Sequence, residues 1–171
     1  MANRIDLEFR NSVLNKYISS TISYCYQCSS CVSACPVASI TEGKYNPRKI
    51  IINALLGLKN KIFKERDPDV WLCTQCCTCD EICPQKVKLT EIFAFIKNQF
   101  TENFNAPEGY LGEARALYQF GKTVMLQPAI ERRRTQLGLS TIIEPKPEEV
   151  KYFLEAIGLN KLVSKEERGE A

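Results

Sequence analysis

An all-α fold is what this 171-residue sequence predicts, and three observations carry the prediction. Strand signals, meaning short alternating runs rich in β-branched and aromatic residues, are absent throughout. Asn46-Pro47 and Asp67-Pro68 each pair an N-cap residue with proline. That pair opens helices, because the ring presets φ and a missing N–H costs nothing in the first turn. The 37 residues between Cys35 and Cys73 place their apolar side chains at helical spacing. With 44% apolar residues, the chain can support one domain, or a small domain with extensions.

The elements follow in three segments. Residues 1–19 hold an amphipathic helix, in which Leu7, Leu14, Tyr17 and Ile18 fall near one face between Leu7 and Ile18. Residues 20–104 hold both cysteine stretches. Between them a helix from Pro47 to about Leu56 turns Ile50, Ile51, Ala54, Leu55 and Leu58 inward, with Gly57 close to its end. Asp67-Pro68 repeats the start signal before Trp71, and a long apolar helix covers Thr90 to Phe100. Residues 105–171 form a helical extension. Asn105-Ala106-Pro107 breaks the chain, a helix is expected from Glu108 to Phe120, and Pro128 opens another through Arg134. Pro145-Lys146-Pro147 is a stiff linker, and a helix from Pro147 to Ile157 ends at Gly158. The charged residues from Ser164 to Ala171 are expected to be disordered. This weakly apolar extension fits a docking surface for a partner. Padding of the core is the competing role for Glu108–Phe120.

Eight of the nine cysteines form two copies of one pattern, C-x2-C-x2-C-x3-C-P. The first is Cys25, Cys28, Cys31 and Cys35-Pro36, and the second is Cys73, Cys76, Cys79 and Cys83-Pro84. Every cysteine of the first lies 48 residues before its counterpart, and Gln27 matches Gln75, so the pattern is an internal repeat. Soft thiolates in sulfur-only sets select zinc or iron–sulfur centres. Structural zinc is commonly bound by paired C-x2-C knuckles or with histidine, and this chain has no histidine. A disulfide framework suits short secreted chains, not 171 residues with an odd cysteine count. Cysteine spacings of three and four also fit one helix face, but two all-cysteine stripes would make an odd core. The ninth, Cys77, aligns with Ser29 and is expected to pack as a small residue beside the metal site. The pair Cys76-Cys77 does not read as a cysteine-rich catalytic motif, because the repeat accounts for Cys76 and Thr78 stands where such a motif expects glycine.

The two runs resemble those of two-cluster ferredoxins, which hold paired [4Fe–4S] cubanes and in which the fourth cysteine of each run ligates the other cluster. Carried over, the resemblance implies two [4Fe–4S] clusters. The first would take Cys25, Cys28, Cys31 and Cys83, and the second Cys73, Cys76, Cys79 and Cys35. Such crossing would couple folding to cluster loading. The long helical link sets the chain apart from small ferredoxins with strands. It is similar to the α-helical ferredoxin fold of succinate dehydrogenase iron–sulfur subunits, over roughly Ser20 to Phe100. The architecture implied is an α-helical ferredoxin-like core with a helical C-terminal extension. Gln27, Gln75, Ser29, Ser30, Thr74 and Thr78 are candidate hydrogen-bond donors to cluster sulfur, or plain polar loop residues.

The formal charge of +3 leaves clusters out. At about −2 each with their thiolates, two would bring the protein to about −1, so charge implies no nucleic-acid partner. Arg132-Arg133-Arg134 is too short a basic run to argue otherwise. No 18-residue apolar run predicts a membrane span, and no basic-then-apolar N-terminus predicts an export signal. Oxygen-sensitive clusters and free thiols fit a reducing cytoplasm. No histidine, glycine-rich phosphate loop or nucleophile–base pair suggests catalysis, so no catalytic residue is expected.

The whole chain resembles the C subunits of heterodisulfide reductase. The likeness rests on Cys25-Tyr26-Gln27-Cys28, on Gly43-Lys44-Tyr45-Asn46-Pro47-Arg48-Lys49, on Trp71-Leu72-Cys73-Thr74-Gln75-Cys76 and on Pro128 to Gly138. It implies a non-catalytic electron-transfer component of a cytoplasmic complex. Electrons would pass from a flavin-bearing A subunit to a B subunit that reduces the coenzyme M–coenzyme B disulfide. A hydrogenase or formate dehydrogenase could complete the larger assembly. A related sulfur-oxidising or sulfate-reducing complex is an alternative. So is a quinone-linked dehydrogenase, although that would call for a further [2Fe–2S] domain or a membrane partner.

Overall fold

The computed structural model describes residues 4–102, 106–143 and 145–165. Among them every regular element is helical and no strand occurs. The chain divides into two compact units, Met1–Asn105 and Ala106–Ala171.

In the first unit, α1 spans Leu7–Asn15 and starts where Asp6 accepts a hydrogen bond from the Phe9 amide at 2.8 Å. This is N-capping, which satisfies a helix N–H that has no partner within the helix. The helix stops earlier than the sequence pattern suggests. Lys16 is extended, and a 3₁₀ helix runs from Tyr17 to Tyr24. The buried face is accordingly different: Phe9 and Val13 are buried while Leu7 is 64% exposed. The side chains of Tyr17 and Ile18 lie outside the described residues.

Short helices α2 (Ser30–Ser33) and α3 (Pro36–Ile40) belong to the first cysteine stretch. α4 (Pro47–Leu55) opens as its sequence predicts, with the Asn46 side chain accepting from the Lys49 amide at 3.0 Å. It buries Ile50, Ile51 and Ala54. Gly57 (φ +69) ends the segment, and its carbonyl accepts from the Asp6 amide at 2.8 Å. A Cβ on Gly57 would stand 2.5 Å from the Asp6 carbonyl, so this close approach requires glycine.

α5 (Lys59–Phe63) leads to a 3₁₀ turn at Val70–Leu72. Here the sequence signal misplaced the cap. No helix opens at Asp67-Pro68, whose peptide bond is cis; Asp69 caps instead, accepting from the Trp71 amide at 3.0 Å. α6 (Thr78–Glu81) lies in the second cysteine stretch, and α7 (Leu89–Glu102) is the principal core helix. α7 buries Leu89, Ile92, Phe93, Phe95, Ile96 and Phe100. Burying each such side chain stabilises by about 1.5–3 kcal/mol. Aromatic contacts link distant segments: Phe9 with Phe63 at 5.5 Å, Phe63 with Phe100 at 4.4 Å and Trp71 with Phe100 at 6.1 Å between ring centroids.

The second unit contains α8 (Glu108–Phe120), α9 (Pro128–Gln136), α10 (Pro147–Ala156) and α11 (Leu159–Lys165). α8 meets both α10 and α11, and Tyr118 donates to the Glu155 carboxylate at 2.9 Å. α11 carries helix through Ser164 and Lys165, where disorder was expected; the rest of that tail, residues 166–171, lies outside the described residues. So does Asn105 of the expected break.

Candidate metal centre

The repeat in sequence is a repeat in backbone. Cys25 and Cys73 each leave a 3₁₀ segment in extended conformation, at φ −70, ψ 110 and φ −68, ψ 120. The chain then alternates. Gln27 and Ser29 take left-handed φ values of 64 and 70, and Gln75 and Cys77 take 54 and 62. Ser29 and Cys77 stand at the N-caps of α2 and α6. Left-handed conformation in non-glycine residues costs of order 1–3 kcal/mol each and persists only where the surroundings enforce it. Four such residues at matching positions show that the two loops share one backbone conformation.

The curl sets hydrogen-bond donors around sulfur. Gln27 Nε2 donates to Cys25 Sγ at 3.2 Å, and the Gln75 amide donates to Cys73 Sγ at 3.4 Å. Ser30 Oγ is 3.3 Å from Cys28 Sγ, and Thr78 Oγ1 is 3.4 Å from Cys76 Sγ. The Ala38 amide donates to Cys35 Sγ and the Val87 amide to Cys83 Sγ, both at 3.4 Å. Cys35 thereby N-caps α3, with Pro36 in its first turn. Of the predicted donors, Gln27, Ser30 and Thr78 reach sulfur with their side chains. Gln75 does so with its backbone, and Thr74 acts on the Cys76 thiol.

Two matching pairs of thiols are shifted in opposite directions. Hydrogen bonds from Ser30 and Thr78 hold the exposed Cys28 and Cys76 thiols below the usual thiol range. Burial pushes the Cys31 thiol up to about 11, assisted by the Cys25 and Cys28 thiolates and by Cys83. Burial also pushes the Cys79 thiol up, followed by the Asp80 carboxylate and the Cys73, Cys31 and Cys76 thiolates. Thiolate formation at the inner positions therefore needs a compensating positive centre, which a metal supplies.

Proximity crosses the two runs. Cys83 acts on Cys31 of the first run, while Cys35 shares one small cavity with Cys73, Cys76 and Cys79. Tyr45, Thr74, Thr78 and Thr90 are among the other residues that line that cavity. The Tyr45 hydroxyl is buried with no hydrogen-bond partner of normal geometry, and it feels the thiolates of Cys73, Cys35 and Cys79. Burial drives its pKa far up, so it remains a donor. A donor set of sulfur alone, hydrogen bonds aimed at sulfur and a buried Tyr45 hydroxyl beside Cys73 all fit a sulfur-rich metal cluster.

Three neighbours escaped the sequence reading. Lys97 is buried in α7 and donates from Nζ to the Cys73 carbonyl at 2.8 Å. The signal was present, since Lys97 follows Phe93 by four residues on the apolar stripe of that helix. Asp80 accepts from the Thr90 amide at 3.0 Å and from Thr90 Oγ1. The Tyr45 hydroxyl carried no local signal. Cys77 is exposed, with Sγ 3.5 Å from the Gln75 carbonyl and 3.9 Å from Thr90 Oγ1.

Residues 21–87 match the family model of the 4Fe-4S dicluster domain. The chain is 32% identical over 164 residues to the second iron-sulfur C subunit of the CoB–CoM heterodisulfide reductase of Methanocaldococcus jannaschii, covering 92% of this chain and 86% of that protein. It is 30% identical over 166 residues to the C subunit of the H(2):CoB-CoM heterodisulfide,ferredoxin reductase of Methanothermobacter marburgensis, covering 93% and 86%. A third relative, the C subunit of the ferredoxin:CoB-CoM heterodisulfide reductase of Methanosarcina mazei, is 31% identical over 134 residues, covering 78% of this chain and 77% of that protein. Among the described residues no helix is long and apolar enough to cross a membrane. With an iron–sulfur domain in place and these likenesses spanning most of its length, the chain belongs to the family of heterodisulfide reductase C subunits.

Proposed function

We propose that this chain relays electrons within a cytoplasmic heterodisulfide reductase complex, from a flavin-bearing A subunit to a B subunit that reduces the coenzyme M–coenzyme B disulfide. Two [4Fe–4S] clusters would supply one-electron chemistry. Cys25, Cys28, Cys31 and Cys83 would hold one, and Cys73, Cys76, Cys79 and Cys35 the other. The observation that supports this reading is proximity: Cys35 lines the cavity of the second run, and Cys83 acts on Cys31 of the first.

The chain's own residues then do three things. Donors at Gln27, Ser30, Thr78 and the backbone amides stabilise charge on sulfur. The core around α7 fixes the spacing of the two runs. The second unit, residues 106–171, is the docking element, and the chain performs no substrate chemistry alone. Relatives named for hydrogen and for ferredoxin share this type of protein, which fits a relay indifferent to the upstream donor.

Anaerobically reconstituted protein should hold about eight iron and eight sulfide per chain, as two cubanes require. Cys83→Ala should damage the cluster held by Cys25, Cys28 and Cys31, and Cys35→Ala the other. Spectra in which each cysteine serves its own run would refute the crossing. A chain ending at Asn105 should keep its iron and fail to pull down the A and B subunits. Full assembly and turnover by that shortened chain would remove the docking role.

A further inference from the structure

We propose that Tyr45 and Lys97 raise the reduction potential of the cluster held by Cys73, Cys76, Cys79 and Cys35 and leave its neighbour's unchanged. This deepens the relay reading and rests on its ligand partition. Tyr45 is 1% exposed, and its hydroxyl makes no hydrogen bond of normal geometry within the protein. An unmade buried hydrogen bond costs about 1–3 kcal/mol. The cavity it lines holds the four cysteines of that set together with the hydroxyls of Thr74, Thr78 and Thr90. Cys73 is the side chain the Tyr45 hydroxyl meets as a hydrogen-bond partner, at a geometry outside the normal range, so sulfur is the acceptor nearest to it. Forty-eight residues further on, the repeat places Phe93, equally buried but without a hydroxyl. A buried hydroxyl at this position therefore exists in one half only; the exposed Tyr26 hydroxyl bonds Cys28 in the first run and is matched by Thr74 at Cys76 in the second.

Lys97 breaks the symmetry a second way. It is 7% exposed, its Nζ lies 2.8 Å from the Cys73 carbonyl oxygen, and it sits 5.4 Å from the centroid of the Trp71 ring. The residue 48 positions earlier, Lys49, is also a lysine but is solvent-exposed on α4. Water screens an exposed ammonium; a buried one acts on its neighbour with little loss. Asp80 opposes it from beside Cys79, though both its oxygens are engaged by Thr90. Reduction adds one negative charge to a cluster. A hydrogen bond to sulfur and a nearby cation favour that reduced form and so raise the potential.

The test is an EPR-monitored redox titration of the full-length, iron-loaded protein, its Tyr45→Phe, Lys97→Met and Lys97→Arg variants, and Ser30→Ala as a marker for the first run. The unmutated protein should reduce in two one-electron steps. Tyr45→Phe should lower the reduced-to-oxidised ratio about tenfold at fixed ambient potential in one step, a shift of about 59 mV. Lys97→Met should move that same step downward by at least about as much, and Lys97→Arg should leave it in place. Ser30→Ala should move the other step. Two steps that Tyr45→Phe leaves untouched, or shifts equally, would overturn this inference while the two-cluster reading stands. A single step in unmutated protein that holds about eight iron would overturn this inference alone, and a single step with about four iron would overturn both. If Lys97→Met loses its iron, the isosteric Tyr45→Phe decides alone.

Discussion

The two units are both helical, yet they differ in what holds their helices. In the first, α7 presents a continuous stripe from Leu89 to Phe100, on which both 3₁₀ segments and α6 pack, while α1 and α4 pack in turn on the first 3₁₀ segment. In the second, Leu111 is the only buried residue among those described, while Tyr152 and Phe153 of α10 stay exposed, Phe153 at 68%. Helices shorter than about 12–15 residues are marginal by themselves. Those of the second unit lean on local devices instead. Pro128 and Pro147 sit in first turns, Arg115 pairs with Glu108 at 2.6 Å, and Gly121 (φ +71) turns the chain after α8. Similar composition thus yields a self-sufficient core in one place and an apolar surface in the other. In the reading proposed above, that surface is completed by a partner.

The contrast can be broken most severely at Phe100, which is fully buried and touches Phe63 and Trp71. Phe100→Ala should cost about 3–5 kcal/mol in chemical denaturation. Gly57→Ala should cost about 2 kcal/mol or more, from the left-handed φ and the Asp6 carbonyl together. Charge reversal at Arg132 and Arg133 should leave stability unchanged and weaken complex formation about tenfold at low salt, an effect that fades as salt is raised. Arg134 is set apart, because its guanidinium already donates to the Ser140 carbonyl at 2.8 Å. Phe153→Ser should change the stability of the free chain by no more than about 0.5 kcal/mol, since exposed sites rarely exceed that. A large loss at Phe153 would show that the second unit has a hidden core.

What could be read from the sequence was whatever local chemistry decides. Asn46-Pro47 opened α4 because the cap, the proline and the first turn lie within four residues. The helix expected from Glu108 to Phe120 after the break at Pro107 has those bounds, and Gly121 follows it in left-handed conformation. The cysteine pattern announced sulfur chemistry because ligand spacing is itself the signal. Asp67-Pro68 carried the same kind of signal as Asn46-Pro47 without the same outcome, since the amide that needed a cap was Trp71's and Asp69 stood nearer to it. The face of α1 was misread because Lys16 ends the helix before a full apolar stripe accrues. The stripe of α7 signals that Lys97 is buried, but neither Lys97 nor Tyr45 could be placed beside Cys73 from the sequence, because Cys73 comes from another segment. Only the packed fold brings those segments together.

Cys28 and Cys76, the second cysteine of each run, are both exposed. If an electron is to leave the chain by these corners, little protein stands in its way, and little stands in the way of dissolved oxygen either. A port for a partner is also a leak to any small oxidant. Burial within this chain cannot separate the two, because deepening the corners would slow delivery as much as damage. A partner surface seated over Cys28 and Cys76 would do both jobs at once, receiving charge while shutting out competitors. The free chain is then the vulnerable form, and its lifetime in air should lengthen on assembly.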